Sequence, residues 1–282
     1  MGKGLFDLVA LDMDGTLLNS RHETTYFTRK ALLKASEAGK IISLCTGRCL
    51  SELREHLDTI PGIRYAICEN GGCLYDVKAG KVIMQSVIDK GKAEHILSLA
   101  SQRDVLVQCF IRGQSLIQLE DTERLEYYHM GYFSEVFAAG SIFCKDVWDL
   151  WRKMGDEMEK INLYFASGAE KEHFRVSLGE TELSISDSLG IGFEISPPDA
   201  AKGIGLKRLC ELVNVSVDRS MAVGDGGNDV DLMRAAGFSV AMGNAEEAVK
   251  REANVLTEDC DNDGAAKAVL RYMLGIDDFR LI

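Results

Sequence analysis

Short, almost wholly apolar segments that end in polar or glycine residues are the feature that most constrains this fold. The segments Phe6 to Leu11, Ile41 to Cys45 and Met221 to Val223 are each followed at once by a polar cluster. Such segments are typical of strands that are buried on both faces of a parallel sheet. Residues with helical spacing lie between them, for example from Tyr26 to Ala38, so helices are expected to form the crossovers. The pattern therefore predicts an α/β fold with a parallel-sheet core.

The alternation of strand and helix is interrupted in the middle of the chain. Lys81 to Val87 is interpreted as a strand that leaves the first sheet, and Trp148 to Glu159 is predicted to be a helix. Strands and helices are mixed between them, and the regular α/β pattern returns only near residue 200. We therefore expect a core domain in two parts, residues 1–84 and 191–282, with a separate α+β module inserted at residues 85–190.

Composition and charge limit the possible partners. The formal net charge is -12, which argues against nucleic acid or an anionic membrane as a partner because both would be repelled. No apolar run is long enough for a transmembrane helix, and the N-terminus shows no signal peptide. The eight cysteines include no C-x-x-C pair and are interpreted as reduced thiols of a cytoplasmic protein. The oligomeric state is left open.

The first polar cluster, Asp12 to Thr16, places two carboxylates at positions i and i+2 directly after a strand. One carboxylate can attack phosphorus and form an aspartyl-phosphate. The other can protonate the leaving oxygen and then deprotonate the attacking water. Gly15 allows a sharp turn between them. The alternative interpretation is a simple Asx-type turn at the end of a strand.

Three further clusters have both a chemical and a structural interpretation. Thr46-Gly47-Arg48 offers a hydroxyl and backbone N–H groups for phosphate oxygens, or an ordinary helix cap. Lys202 opens a helix, where a cation is unfavourable unless carboxylate or phosphate lies nearby. The run Gly224 to Asp229 offers carboxylates for Mg2+, or a glycine-rich turn that caps a helix. All four clusters follow predicted strands or open helices, so they are expected to meet at one edge of the sheet.

In order and spacing, the four clusters resemble those of the haloacid dehalogenase (HAD) superfamily, and within it the Cof-like phosphatases with an α/β cap. The resemblance covers essentially the whole chain. It implies a Rossmann-like parallel-sheet core with an inserted α+β cap domain. It also implies a Mg2+-dependent phosphatase that hydrolyses a small phosphorylated metabolite through an aspartyl-phosphate.

The resemblance also implies a role for each matching residue. Asp12 is the expected nucleophile and a metal ligand, and Asp14 is the expected general acid/base, with its carbonyl on the metal. Asp225 completes the expected metal shell, and Asp229 supports the site. Thr46 and Lys202 are expected to act in catalysis by holding and neutralising the phosphoryl group. The residues expected to bind the substrate are Thr46, Gly47, Arg48, Asn70, Gly71, Lys202 and Asn228.

Two other functions stay open from the sequence. A phosphomutase of the same superfamily would return the phosphoryl group to a sugar instead of water. A non-catalytic sensor of phosphorylated metabolites would need only the binding residues, and the presence of Asp12, Asp14 and Asp225 argues against it. The substrate itself, whether a sugar phosphate or a nucleotide or cofactor phosphate, is expected to be selected by the inserted module.

Overall fold

The structure is a computed structural model that describes residues 6–155, 157–188 and 190–281. Residues 1–5, where the sequence predicts no signal peptide, lie outside this range. Within the described residues, no helix combines the length and the apolar character that crossing a bilayer requires.

The described residues form fourteen strands and eleven α-helices, joined by turns and single-turn 3-10 helices, and a π-helical segment, Val269–Met273, follows the last α-helix. The strands are β1 (Leu8–Leu11), β2 (Ile41–Cys45), β3 (Ile63–Cys68), β4 (Cys73–Asp76), β5 (Lys81–Gln85), β6 (Val105–Ile111), β7 (Gln114–Gln118), β8 (Ser141–Cys144), β9 (Lys160–Phe165), β10 (Ser184–Ser188), β11 (Gly192–Ser196), β12 (Ser220–Gly224), β13 (Phe238–Ala241) and β14 (Val255–Leu256). The helices are α1 (Tyr26–Glu37), α2 (Leu50–Thr59), α3 (Lys90–Ala100), α4 (Leu119–Thr122), α5 (Ser134–Gly140), α6 (Val147–Met154), α7 (Gly168–Leu178), α8 (Lys202–Leu212), α9 (Val230–Ala235), α10 (Glu247–Glu252) and α11 (Gly264–Ala268).

The chain divides into two compact units, each with its own sheet. Unit 1 consists of residues 1–47, 55–84 and 201–282, and unit 2 consists of residues 48–54 and 85–200. The predicted insertion also began at residue 85, but it ended at residue 190 and did not include residues 48–54. The α/β core and the separate α+β module that the sequence predicts are confirmed as a fold class.

The sheet of unit 1 has the strand order β14-β13-β12-β1-β2-β3-β4-β5 in the described chain. The strands from β14 to β3 pair in parallel, and every residue of β1 and β12 is buried. From β1 the chain builds the sheet outward through β2 and β3, whereas β12, β13 and β14 extend it in the other direction. The loops after β1 and β12 therefore leave the sheet at its topological switch point, where open α/β sheets bind ligands.

One prediction about this sheet was wrong. The segment after Lys81 does not leave the sheet, because β5 is its edge strand, next to β4. The sequence analysis missed β4, which forms an antiparallel hairpin with β3 that pairs Cys68 with Cys73. β5 is exposed or half-buried along its length, which is expected of an edge strand and equally of a segment that connects two domains.

Unit 2 contains a six-stranded sheet in the order β10-β11-β9-β6-β7-β8, again counted over the described residues. Helices α3, α6 and α7 contribute Ile96, Trp151 and Phe174 to its main apolar core. Strand β11 pairs antiparallel with both β9 and β10, so this unit extends beyond the predicted boundary at residue 190. The helix predicted to reach Glu159 ends at Met154, because Gly155 adopts a left-handed conformation that terminates it.

Candidate active site

Asp12 is the first residue after β1, at the switch point of the sheet. Its backbone N–H donates to the Val223 carbonyl of β12 at 2.9 Å, which fixes the residue between the two central strands. Its side chain is buried, and Oδ1 accepts a hydrogen bond from Lys202 Nζ at 2.6 Å. A carboxylate in this position has one oxygen held by an ammonium group, so the other oxygen can face a reacting atom.

Lys202 is the first residue of α8 and has only 1% of its surface exposed. Its Nζ donates to Asp12 Oδ1 at 2.6 Å and to Asp229 Oδ1 at 2.7 Å. Burial opposes its charge, but the two carboxylates raise the pKa of Lys202 well above its usual value, so it is a permanent cation. The helix start comes close to α9 because Gly203 has no Cβ, which would lie 2.5 Å from the Asp231 carbonyl oxygen.

Asp225 follows β12 directly and faces the loop after β1. Thr16 Oγ1 donates to its Oδ1 at 2.6 Å, and burial raises the pKa of Asp225 to about 6. Gly15 has φ +76, and a Cβ at this position would lie 2.4 Å from Asp225 Oδ2. Only glycine combines this backbone conformation with such a close carboxylate.

Asp229 is completely buried and organises the loop after β12. Its Oδ2 accepts the backbone N–H groups of Asp225 at 2.9 Å and Gly226 at 3.1 Å, while Oδ1 accepts from Lys202. Both oxygens therefore have strong donors, and the side chain joins the loop after β12 to the start of α8. Asp229 is therefore suited to position the loop after β12 and Lys202 rather than to react itself.

Asp12, Asp225 and Asp229 each offer a carboxylate oxygen, and these oxygens lie within 4.8 Å of one another. Three carboxylates carry three negative charges when ionised, and Lys202 supplies one positive charge against them. A divalent cation would bring the cluster to neutrality, and an all-oxygen donor set suits a hard cation such as Mg2+. The cluster can therefore hold a metal ion, with Asp12 and Asp225 better placed to bind it than the fully hydrogen-bonded Asp229.

A second group of predicted residues lies in loops that follow the carboxyl ends of the strands in unit 1. The backbone N–H of Asn70 donates to the Thr46 carbonyl at 3.0 Å, and Asn228 Nδ2 donates to Asn70 Oδ1 at 3.1 Å. Gly71 lies directly against the carbonyl oxygen of Ala201, the residue before Lys202. Hydrogen bonds and packing thus connect the loops after β2, β3 and β12.

Two predicted residues are not part of the group of three clustered carboxylates, and their predicted roles are not tested by these contacts. The Asp14 side chain is 42% exposed and is not one of the three clustered carboxylates; its Oδ1 lies 3.6 Å from His22 Nδ1. Arg48 belongs to unit 2, whereas Thr46 and Gly47 belong to unit 1. The Asp14 carbonyl and the Arg48 side chain therefore stay predictions as ligand groups.

The sequence analysis gave no role to several residues that contact the carboxylate cluster or the loops beside it. Thr16 and Asn244 both donate to Asp225, Asp231 Oδ2 accepts the Gly203 N–H at 2.7 Å, and His22 lies beside Asp14. Asn244 follows closely after β13, so the rule that located the other clusters, polar residues past a strand end, applies to it as well.

Comparisons with known proteins agree with this geometry. The sequence matches the haloacid dehalogenase-like hydrolases over residues 9–269. Phosphatase YwpJ of Bacillus subtilis (strain 168) is 28% identical over 297 aligned positions, which cover 95% of this chain and 99% of YwpJ. Pyridoxal phosphate phosphatase YbhA of Escherichia coli (strain K12) is 28% identical over 279 positions, covering 95% and 98%. A solved HAD phosphatase structure from Bacteroides thetaiotaomicron has a TM-score of 0.79 at 28% identity, covering 98% of this chain and 97% of that one. The chain therefore belongs to the haloacid dehalogenase-like hydrolase family.

Proposed function

We propose that this chain hydrolyses a small phosphorylated metabolite with the help of Mg2+, using Asp12 as the nucleophile. The chain is a phosphoric monoester hydrolase by its family and by its phosphatase relatives. The proposal adds the metal, the class of substrate and the role of each residue. The observation that carries it is the buried cluster of Asp12, Lys202, Asp225 and Asp229 at the switch point of the parallel sheet.

Asp12 performs the first step. Lys202 holds Oδ1, so Oδ2 is the oxygen that attacks phosphorus in line with the leaving oxygen. A bond forms between Asp12 and phosphorus while the phosphorus–ester oxygen bond breaks, and the leaving oxygen takes a proton from Asp14. The ammonium of Lys202 offsets the negative charge that would otherwise repel an anionic phosphate from a carboxylate.

The second step returns the enzyme to its starting state. Asp14, now ionised, removes a proton from a water molecule that attacks the phosphorus of aspartyl-phosphate. The bond between Asp12 and phosphorus breaks, and inorganic phosphate leaves. The Asp14 side chain is partly exposed, and this exposure supports contact with both water and the leaving group.

Asp12, Asp225 and the Asp14 carbonyl are the groups that would hold Mg2+, and Asp229 would position them. When bound, the ion would neutralise carboxylates and phosphoryl oxygens. Thr46, Gly47, Asn70, Gly71 and Asn228 would face the remaining phosphoryl oxygens and the substrate. The hydrogen bonds among the loops after β2, β3 and β12 support this assignment because they fix the loops before substrate arrives.

A small phosphorylated metabolite is the substrate class that the relatives support. YbhA is named for its action on pyridoxal phosphate, so cofactor phosphates belong in the test together with sugar phosphates and nucleotides. We also propose a cytoplasmic location, which the free cysteines of the described chain support, since such thiols persist in a reducing compartment.

The test is a phosphate-release screen of the full chain. Hexose and pentose phosphates, nucleoside monophosphates, pyridoxal 5′-phosphate and an aryl phosphate are each assayed with Mg2+ and with excess EDTA. We expect Mg2+-dependent release of inorganic phosphate. Asp12→Asn should lower kcat by about a thousandfold or more because it removes the nucleophile. Asp58→Asn makes the same chemical change on an exposed part of α2 in unit 1 and should keep kcat within about twofold.

Three outcomes would contradict the proposal. Equal activity of Asp12→Asn and the wild type would exclude Asp12 as the nucleophile. Isomerisation of a sugar phosphate without release of phosphate would favour the phosphomutase alternative. Binding of phosphorylated metabolites without turnover of any of them, including the aryl phosphate, would favour the sensor.

A further inference from the structure

We propose that Asn244 is a positioning residue that sets the orientation of Asp225 and thereby the affinity of the site for Mg2+. This inference rests on the proposed function, because it assumes that Asp225 binds the metal. Asn244 lies outside the four clusters that the sequence singled out, in the turn between β13 and α10.

The Asn244 side chain joins three loops. Its Nδ2 donates to the Gly15 carbonyl at 2.8 Å and to Asp225 Oδ2 at 3.3 Å, and its Oδ1 accepts the Cys260 N–H at 3.0 Å. The nitrogen faces two acceptors and the oxygen faces one donor, so the partners themselves fix the orientation of the amide. A single side chain thus contacts the loop after β1, the loop after β12 and the segment after β14.

Asn244 and Thr16 hold opposite oxygens of the same carboxylate. Thr16 Oγ1 donates to Asp225 Oδ1 at 2.6 Å, while Asn244 Nδ2 approaches Oδ2. A carboxylate offers about four lone-pair sites, so one donor on each oxygen still leaves lone pairs for a metal. Two donors on opposite oxygens also prevent rotation of the carboxylate plane. Partners of this kind orient a metal ligand, and their removal lowers metal affinity by about 10- to 100-fold.

The position of Asn244 is set by backbone contacts, independently of the side chains in the site. The Met242 N–H donates to the Gly224 carbonyl at 3.0 Å, and the Glu246 N–H donates to the Asp225 carbonyl at 2.9 Å. These two bonds dock the turn on the loop after β12 and hold Asn244 between them. The side chain is exposed, so its truncation leaves space for water and should leave the fold intact.

The experiment measures Mg2+ binding to the metal-free full chain by isothermal titration calorimetry, so that its readout is independent of turnover. We expect Asn244→Ala to raise the Kd for Mg2+ by about 10-fold or more, with a small change in the Tm of the metal-free protein. Asn254→Ala is the matched control. Asn254 is also an exposed loop asparagine that accepts a backbone N–H, but its donor is Ser239 at 2.8 Å rather than a residue beside Asp225. Its Kd should stay within about twofold of the wild type.

A double-mutant cycle separates positioning from a general structural effect. If Thr16 and Asn244 orient one carboxylate together, the combined change in Kd for Thr16→Val and Asn244→Ala should differ clearly from the product of the single changes. A Kd for Asn244→Ala equal to that of the wild type, or a matching loss in Asn254→Ala, would overturn the proposal.

Mg2+ binding by Asp225→Asn distinguishes failure of the proposed metal site from failure of the proposed role of Asn244. If Asp225→Asn abolishes Mg2+ binding and Asn244→Ala leaves it unchanged, the metal site stands and the role of Asn244 is wrong. A wild-type chain that binds no Mg2+ would overturn the metal site and the role of Asn244 together.

Discussion

Gly15 is a position where the site has no room for a side chain. It has a left-handed backbone, with φ +76, and a Cβ there would lie 2.4 Å from an oxygen of Asp225, a carboxylate that Thr16 and Asn244 hold in place. Gly15→Ala should therefore strain the turn and displace Asp225. We expect kcat/KM to fall by about a hundredfold, because a displacement of about 1 Å in a catalytic group has an effect of that size. Steady-state kinetics at saturating Mg2+ measures it.

Gly39→Ala is the control that has the backbone strain of Gly15→Ala without the steric clash with Asp225. Gly39 has nearly the same φ, +79, but a Cβ there would meet no heavy atom of the described residues within 4 Å beyond its own chain neighbours. It should lower Tm because the cost of the backbone conformation is shared, but by less than Gly15→Ala, which adds the steric clash with Asp225. Its kcat/KM should stay close to that of the wild type. Equal kinetic losses in both variants would mean that the close approach to Asp225 has no part in the effect.

The sequence could locate residues but not the contacts among them. Asp12, Lys202, Asp225 and Asp229 were found because each follows a buried strand or opens a helix, and the structure does bring them together. The parts played by Thr16 and Asn244 were missed, because a hydroxyl or an amide acquires such a part only from the atom it contacts. The hydrogen bond from Thr16 to Asp225 spans 209 positions of sequence, a separation that no local pattern reveals.

At the scale of secondary structure, strands that are short apolar runs were predictable, whereas several short strands of mixed composition were not. β1 and β2 are short apolar runs whose burial on both faces dictates their composition. The strands β4, β8 and β11 were missed because each has only four or five residues and includes polar or glycine positions, so no apolar run stands out in the sequence. The overlong helix before Glu159 has a different cause, since helical spacing continues through Gly155 although this residue ends α6.

Helix α4 offers a prediction about pH. Burial raises the pKa of Asp121 in this helix to about 6, and the neighbouring Glu120 adds to the effect. A carboxyl group whose folded pKa lies above its unfolded value, about 4, stabilises the fold below pH 4. That contribution is lost as the pH rises through 6. Asp121→Asn should therefore raise stability at pH 8 by on the order of 1 kcal/mol, a few degrees in Tm, and change little at pH 4.

Thermal unfolding of the metal-free protein at pH 4 and pH 8 checks this expectation. Glu123→Gln is the matched control, because it removes a carboxylate just after α4 where the side chain is exposed. It should leave Tm nearly unchanged at both values of pH. A gain for Asp121→Asn that is the same at pH 4 and pH 8 would show that the ionisation of this residue is not responsible.

At the scale of the whole molecule, the net charge of -12 and the carboxylate cluster respond to cations in different ways. Any salt screens the diffuse surface charge and weakens its self-repulsion. Only a cation that binds the cluster adds a site-specific free energy, which grows with the ratio of its concentration to its Kd. Because the chain has two compact units, it can unfold in one thermal transition or in two. Calorimetry should show which of these transitions shifts when the cation is added.

The specific response can be predicted for Mg2+. At a concentration of about 100 times its Kd, a bound ion stabilises the folded state by about 2.7 kcal/mol, which corresponds to several degrees in Tm. NaCl at equal ionic strength should produce a smaller shift, since it acts only by screening. In Asp225→Asn, Mg2+ should raise Tm no more than NaCl does, because only the screening of surface charge remains. The substitution should also raise the Tm of the metal-free protein, because it takes one charge from a buried cluster in which carboxylates outnumber the ammonium group. If Asp225→Asn and the wild type gain equally from Mg2+, the ion acts on the acidic surface and the cluster is not its site.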